Sequence, residues 1–249
     1  MRHLFLRITK PRRHEDTKTE KSYFSSLLVP SYLRGFVMRC PHCEKEVTQA
    51  EEFCPHCRRI LPVSGEVSHY TVLGYDRDIL NIDLVDLEKR FFELSKKFHP
   101  DRFANKTSLE IQLSHDRSSA VNNAYRALKN PVTRAKYLVE REMGSIEEKS
   151  AKVPSDMADL FFEIHDLLDL IRESNGNPPE GTVAEVKNAE TQLTDQVKRL
   201  EDQLQARFEE YDLGPDRKTI EKIKDILAER SYIKSFLRQI ESVLGGEKG

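Results

Sequence analysis

Apolar residues recur along most of this chain at helical spacing. Leu87, Phe91, Leu94 and Phe98 stand three to four residues apart, as one stripe of an amphipathic helix does. Asp83 offers an N-cap, Asp86 follows three residues later in capping-box fashion, and Pro100 stops the helix. A second stripe runs through Val121, Ala124, Tyr125 and Leu128; Asn130-Pro131 breaks it and starts a shorter helix through Tyr137 and Leu138. Beyond a polar connection from Gly144 to Pro154, three long helical segments follow. The first covers 155–173 and ends at Asn175-Gly176-Asn177-Pro178-Pro179. The second carries Leu193, Val197, Leu200, Leu204, Phe208 and Tyr211, and Gly214-Pro215 ends it. The third carries Ile223, Ile226, Ile233, Leu237, Ile240 and Leu244. Three one-sided helices with short turns predict an antiparallel three-helix bundle over 153–245. A helical hairpin is expected over 68–143. No strand pattern appears outside a small cysteine-bearing module at 38–62, so the fold class is all-α.

Composition changes this picture little. Of the 249 residues 33% are charged and 38% hydrophobic, Gly is scarce and Trp absent, which suits small helical domains with thin cores. A net charge of −2 argues against nucleic acid as the partner, and no apolar run is long enough for a membrane span. Residues 1–37 hold eight Lys/Arg against three acids and are expected to be a disordered basic extension, or the result of a start placed ahead of Met38. A transit peptide is the alternative, although Glu15, Asp16 and Glu20 are unusual in one. The expected location is therefore cytoplasmic, of bacterial type, or the mitochondrial matrix if the extension is a transit peptide.

All four cysteines lie within 18 residues, as Cys40-Pro41-His42-Cys43 and Cys54-Pro55-His56-Cys57. Each CxxC turn points two thiolates at one ion, and two turns complete a tetrahedron. A redox CxxC would need a βαβ surround that this sequence lacks. Zinc is favoured over iron, because it needs no redox partner and closes a structural site. So short a segment buries no core, and metal binding must supply its folding energy. Losing the ion is accordingly expected to unfold residues 38–62 alone. His42 and His56 are read as knuckle residues, not ligands.

The second constellation is Phe98-His99-Pro100-Asp101-Arg102-Phe103, which closes a helix whose outer side bears Lys89, Arg90, Lys96 and Lys97. Asn122-Asn123-Ala124-Tyr125-Arg126-Ala127-Leu128 and Asn130–Tyr137 follow at hairpin distance. Residues 68–143 resemble a J-domain. With the cysteine module before it and the bundle after it, the chain resembles the HscB-type co-chaperones over residues 38–245. The resemblance implies an adaptor, not an enzyme. His99, Pro100 and Asp101, with the four basic residues, would engage a DnaK/HscA-type ATPase chaperone and stimulate its ATPase. The bundle would hold an IscU-type iron–sulfur scaffold protein. The alternative function is a general J-protein binding unfolded clients.

Helical geometry picks out a candidate scaffold face. With Ile164 at the centre of the buried stripe, Phe162 falls roughly 160° away, at about 100° per residue. His165, Asp166 and Asp169 share that far side, and Phe161 lies on its border. Tyr232 of the last helix is expected to point away from the Ile226–Ile233–Leu237 stripe. The resemblance implies that Phe161, Phe162, His165, Asp166, Asp169 and Tyr232 contact the scaffold.

Overall fold

The computed structural model describes residues 37–48, 51–63, 67–144, 157–174 and 176–245. The extension at 1–36, the connection at 145–156 and the breaker residue Asn175 lie outside them. The regular structure of the described residues is helical apart from one short hairpin and an isolated bridge between Phe53 and Ile60. Strands β1 (Val37–Arg39) and β2 (Glu46–Thr48) pair antiparallel in the cysteine module. Helices α1 (His69–Val72), α2 (Leu84–Lys97), α3 (Ser108–Lys129) and α4 (Pro131–Met143) form the first helical unit. Helices α5 (Ala158–Glu173), α6 (Thr182–Leu213) and α7 (Arg217–Gly245) form the second.

Caps explain the boundaries. The Asp83 carboxylate accepts the Val85 amide and starts α2. The Asn130 side chain accepts the Val132 and Thr133 amides, with Pro131 at the first position of α4. The expected capping box at Asp83–Asp86 does not form. Asp86 instead accepts hydrogen bonds from Tyr75 at 3.1 Å and from Arg90 at 2.7 Å. The box stands one helix later, where Thr107 and Glu110 cap each other's backbone at the start of α3.

The bundle departs from three equal helices. At 16 residues α5 is about 24 Å long, whereas α6 with 32 is about 48 Å. It covers only the first half of α6 and the last half of α7. Its Phe161, Ile164, Leu168 and Ile171 pack among Val186, Leu193, Val197, Ile233, Phe236 and Ile240. The other half of the hairpin carries Leu204, Phe208, Tyr211, Ile220, Ile223 and Leu227. These close over Leu80, Ala135, Leu138 and Val139 of the first unit, so α4 takes the place of the missing third helix.

Asp212 ties the same junction. Its carboxylate accepts the Leu80 and Asn81 amides, each at 2.7 Å, and Leu80 is fully buried. Asp212→Ala is expected to cost about 1–3 kcal/mol in urea denaturation, because a buried N–H loses its acceptor. Asp212→Asn, which keeps one carbonyl oxygen, should cost less. Equal midpoints for all three proteins would show that the junction contributes nothing.

Candidate functional site

In the cysteine module, two knuckles of identical backbone design face each other. The Cys40 amide donates to Lys45 O and Glu44 N–H to Cys40 O, both at 2.9 Å; Cys54 and Arg58 repeat the pair at 2.8 Å. Glu44 (φ 58°) and Arg58 (φ 60°) turn through the left-handed region right after the second cysteine of each knuckle. Each knuckle thus aims two sulfurs inward, and all four lie within 4.8 Å of one another. Tetrahedral thiolates about 2.3 Å from an ion would stand about 3.8 Å apart. The observed separations are 3.7 Å for Cys40–Cys57 and 3.6 Å for Cys43–Cys54, so the donor set fits one metal ion. The Nε2 atom of His42 lies 3.3 Å from the Ile60 carbonyl, which occupies it away from the cluster. Burial would raise the Cys54 thiol, but the Cys57 and His56 amides overcome it and bring it down to about 7. The Lys45 amide would lower Cys43, yet burial and the neighbouring thiols push it up to about 12.

The module does not stand alone. Ile60 belongs to the core formed by Tyr70, Leu73, Phe98 and Leu113, and Phe53 stacks on Phe98 at 5.8 Å. Lys97 of α2 pairs with Glu52. Arg117 reaches from α3 and donates to Leu61 O at 2.6 Å, Glu51 O at 2.9 Å and Pro62 O at 3.3 Å. Burial pushes its guanidinium down to about 10, with Glu52 opposing, and the group stays charged at neutral pH. The expectation of a self-contained module is therefore corrected: its inner face is part of the neighbouring core.

That same core holds the His-Pro-Asp loop. Phe98 and Phe103 are buried on either side of it. Ser114 and Ser118 of α3 both donate to the Phe98 carbonyl, at 3.0 and 2.8 Å. Pro100 opens a 3-10 turn over Pro100–Phe103. Between these anchors His99 and Asp101 project outward, with side chains 58% and 89% exposed. The Asp101 amide donates to His99 Nδ1 at 3.4 Å, which orients the ring.

The four basic residues of α2 are not equivalent. Lys89 and Lys96 are exposed. Arg90 is instead committed internally, donating to Asp86 and at 2.6 Å to Gly74 O while lying 4.4 Å over the Tyr75 ring. Lys97 is held by Glu52. Phe92, 60% exposed, lines an apolar surface with Lys96, His99 and Arg102. Apolar periodicity does not single it out, although it stands seven residues before His99 on the outer strip. Nor does it single out Arg117, whose signal is a charge at a core position between Leu113 and Val121.

On α5, Phe162 is 72% exposed, with His165 and Asp166 exposed and Asp169 half-buried beside it. His165 Nδ1 lies 3.2 Å from Asp169, which also accepts from Arg172 at 2.7 Å. Phe161 corrects its expectation. It is 5% exposed and meets Tyr232 at 4.9 Å and Phe236 at 5.0 Å, both edge-on. Tyr232 is likewise half-buried against the core and does not point away from it. A border position of α5 turns inward because Phe236 offers an edge-on aromatic partner there.

Comparison with known proteins matches the DnaJ domain family to residues 68–137. The chain is 31% identical over 142 residues to the Co-chaperone protein HscB homolog of Aliivibrio salmonicida (strain LFI1238), covering 55% of this chain and 82% of that protein. It is 25% identical over 202 residues to the Iron-sulfur cluster co-chaperone protein HscB of Mus musculus, covering 81% and 80%. The crystal structure of human co-chaperone protein HscB superposes with a TM-score of 0.60 at 23% identity, over 82% of this chain and 98% of that one. At that identity the likeness is one of fold.

Proposed function

The chain belongs to the HscB co-chaperone family, and from that premise we propose that it delivers an IscU-type iron–sulfur scaffold protein to a DnaK/HscA-type chaperone and stimulates that chaperone's ATPase. It acts by binding, as an adaptor. The observation that carries this reading is the His99-Pro100-Asp101 loop with His99 and Asp101 exposed, held between two buried phenylalanines at the end of a helix that exposes Lys89 and Lys96. The exposed carboxylate of Asp101 can pair with a cation of the chaperone, and the lysines suit an acidic surface. The four cysteines hold zinc, which would supply a structural cross-link and no chemistry. Among the described residues no helix is long and apolar enough to cross a membrane. Reduced thiols suit a bacterial-type cytoplasm or a mitochondrial matrix.

The test is ATP hydrolysis by the chaperone with this chain and the scaffold, singly and together. Stimulation by the chain, enhanced further by scaffold, is expected. No stimulation at any concentration overturns the proposal.

The scaffold face is assigned to Phe162, His165, Asp166 and Asp169, with Tyr232 at its edge and Phe161 supporting it from beneath. A large exposed aromatic beside acids suits a binding hot spot. Phe162→Ala is expected to weaken scaffold binding by at least ~1 kcal/mol, while chaperone stimulation without scaffold is retained. Unchanged affinity in titration calorimetry would place the scaffold elsewhere.

A further inference from the structure

We propose that the second cysteine knuckle is part of the chaperone-docking surface, with Arg58 and Arg59 reaching an acidic patch of the partner beside the His-Pro-Asp loop. The inference rests on the assignment of that loop to the chaperone. A groove of about 530 Å³ runs between the knuckle and the loop. Phe53, Arg58 and Arg59 line it on one side, Arg102, Phe103 and Lys106 on the other. Arg102 also lines the apolar surface formed by Phe92, Lys96 and His99. The two surfaces are therefore continuous through one side chain.

Charge points to the occupant. Arg90 and Lys97 are spent inside the molecule, which halves the basic side of α2. Arg58, Arg59, Arg102 and Lys106 make no ion pair among the described residues. The one carboxylate of the groove, Glu110, is 8% exposed and accepts from Thr107 N and Oγ1 at 3.2 and 2.8 Å. A cluster of four cations, joined through Arg102 to the apolar surface of Phe92 beside the loop, matches an acidic protein surface with apolar contacts.

The knuckle's own fold does not require the arginines. Its twin has the same backbone turn and the same two hydrogen bonds, yet carries Glu44 and Lys45 at the equivalent positions. The basic pair stands only on the knuckle that faces the loop. The closed turn also fixes both arginine backbones in advance, so only their side chains remain to be ordered on binding.

The experiment uses the full chain loaded with zinc and the ATP-bound chaperone. For Arg58→Glu/Arg59→Glu, the concentration giving half-maximal ATPase stimulation should rise about tenfold or more. The affinity should depend less steeply on salt, and one metal per chain should be retained. Lys106→Glu, outside the module, should raise the same concentration without touching the metal; Lys45→Glu, on the other knuckle, should leave it unchanged. Wild-type protein without stimulation would remove the loop assignment, and this inference with it. Wild-type stimulation that His99→Gln abolishes, alongside unchanged curves for the Arg58→Glu/Arg59→Glu and Lys106→Glu proteins, would overturn the inference alone. So would an unchanged chaperone curve with loss of binding to RNA.

Discussion

His99→Gln is expected to reduce stimulation of the chaperone ATPase to background while far-ultraviolet circular dichroism and thermal midpoint stay as they are. The ring is more than half exposed, and its Nδ1 lies 3.4 Å from both the amide and the carboxylate of Asp101 in its own turn. Exposed substitutions of this kind commonly change stability by less than about 0.5 kcal/mol. The loop's position comes from elsewhere, from Phe98 and Phe103 below it and from Ser114 and Ser118 on the Phe98 carbonyl. Glutamine keeps some bulk and polarity but not the imidazole, so the variant separates contact from architecture. Undiminished stimulation by purified His99→Gln protein would sink the chaperone assignment.

Metal removal is expected to weaken the J-domain as well as the cysteine module. Without an ion each knuckle keeps its turn hydrogen bonds and the first its short hairpin, but the four thiols lose the centre that joins one knuckle to the other. If they open, Ile60 leaves the core and Phe53 leaves Phe98. Exposing a buried Ile costs about 1.5–3 kcal/mol. Arg117 then exchanges its three carbonyl acceptors for water, a net loss of about 0.5–1.5 kcal/mol for a typical hydrogen bond. Together these are a large share of the roughly 5–15 kcal/mol that holds a typical domain. Chelator should therefore lower the thermal midpoint of the helical signal and raise hydrogen exchange at the C-terminal end of α2. Adding zinc back should reverse both. Unchanged exchange around Phe98 after verified metal loss would show the module to be the independent unit that its sequence suggests.

Helix placement was legible in the sequence because stripes such as Leu87–Phe98 and Leu193–Tyr211 report one buried face each. The cysteine cluster and the His-Pro-Asp loop were equally plain, since spacing alone brings the sulfurs together and two phenylalanines flank the loop. What periodicity does not report is which neighbour covers a stripe. Leu204, Phe208 and Tyr211 read as bundle core, but face α4. Ile60 reads as the end of a small module, but sits in another core. Border positions fail for a related reason: the angle of Phe161 was nearly ambiguous, and Phe236 on a distant helix decided it. Side-chain length hides the rest. Lys89 and Lys97 look alike on a helical wheel, yet only Lys97 ends beside a carboxylate from another module.

The Asp212 clasp has a consequence in time. It joins Leu80 to a residue 132 positions later. At synthesis rates of about 5–20 residues per second, the turn ahead of α2 waits on the order of ten seconds for its acceptor. Through that interval Leu80, Ala135, Leu138 and Val139 also lack the side chains that cover them. The nascent J-domain thus emerges with an open apolar flank, and its folding is completed from the C-terminal side.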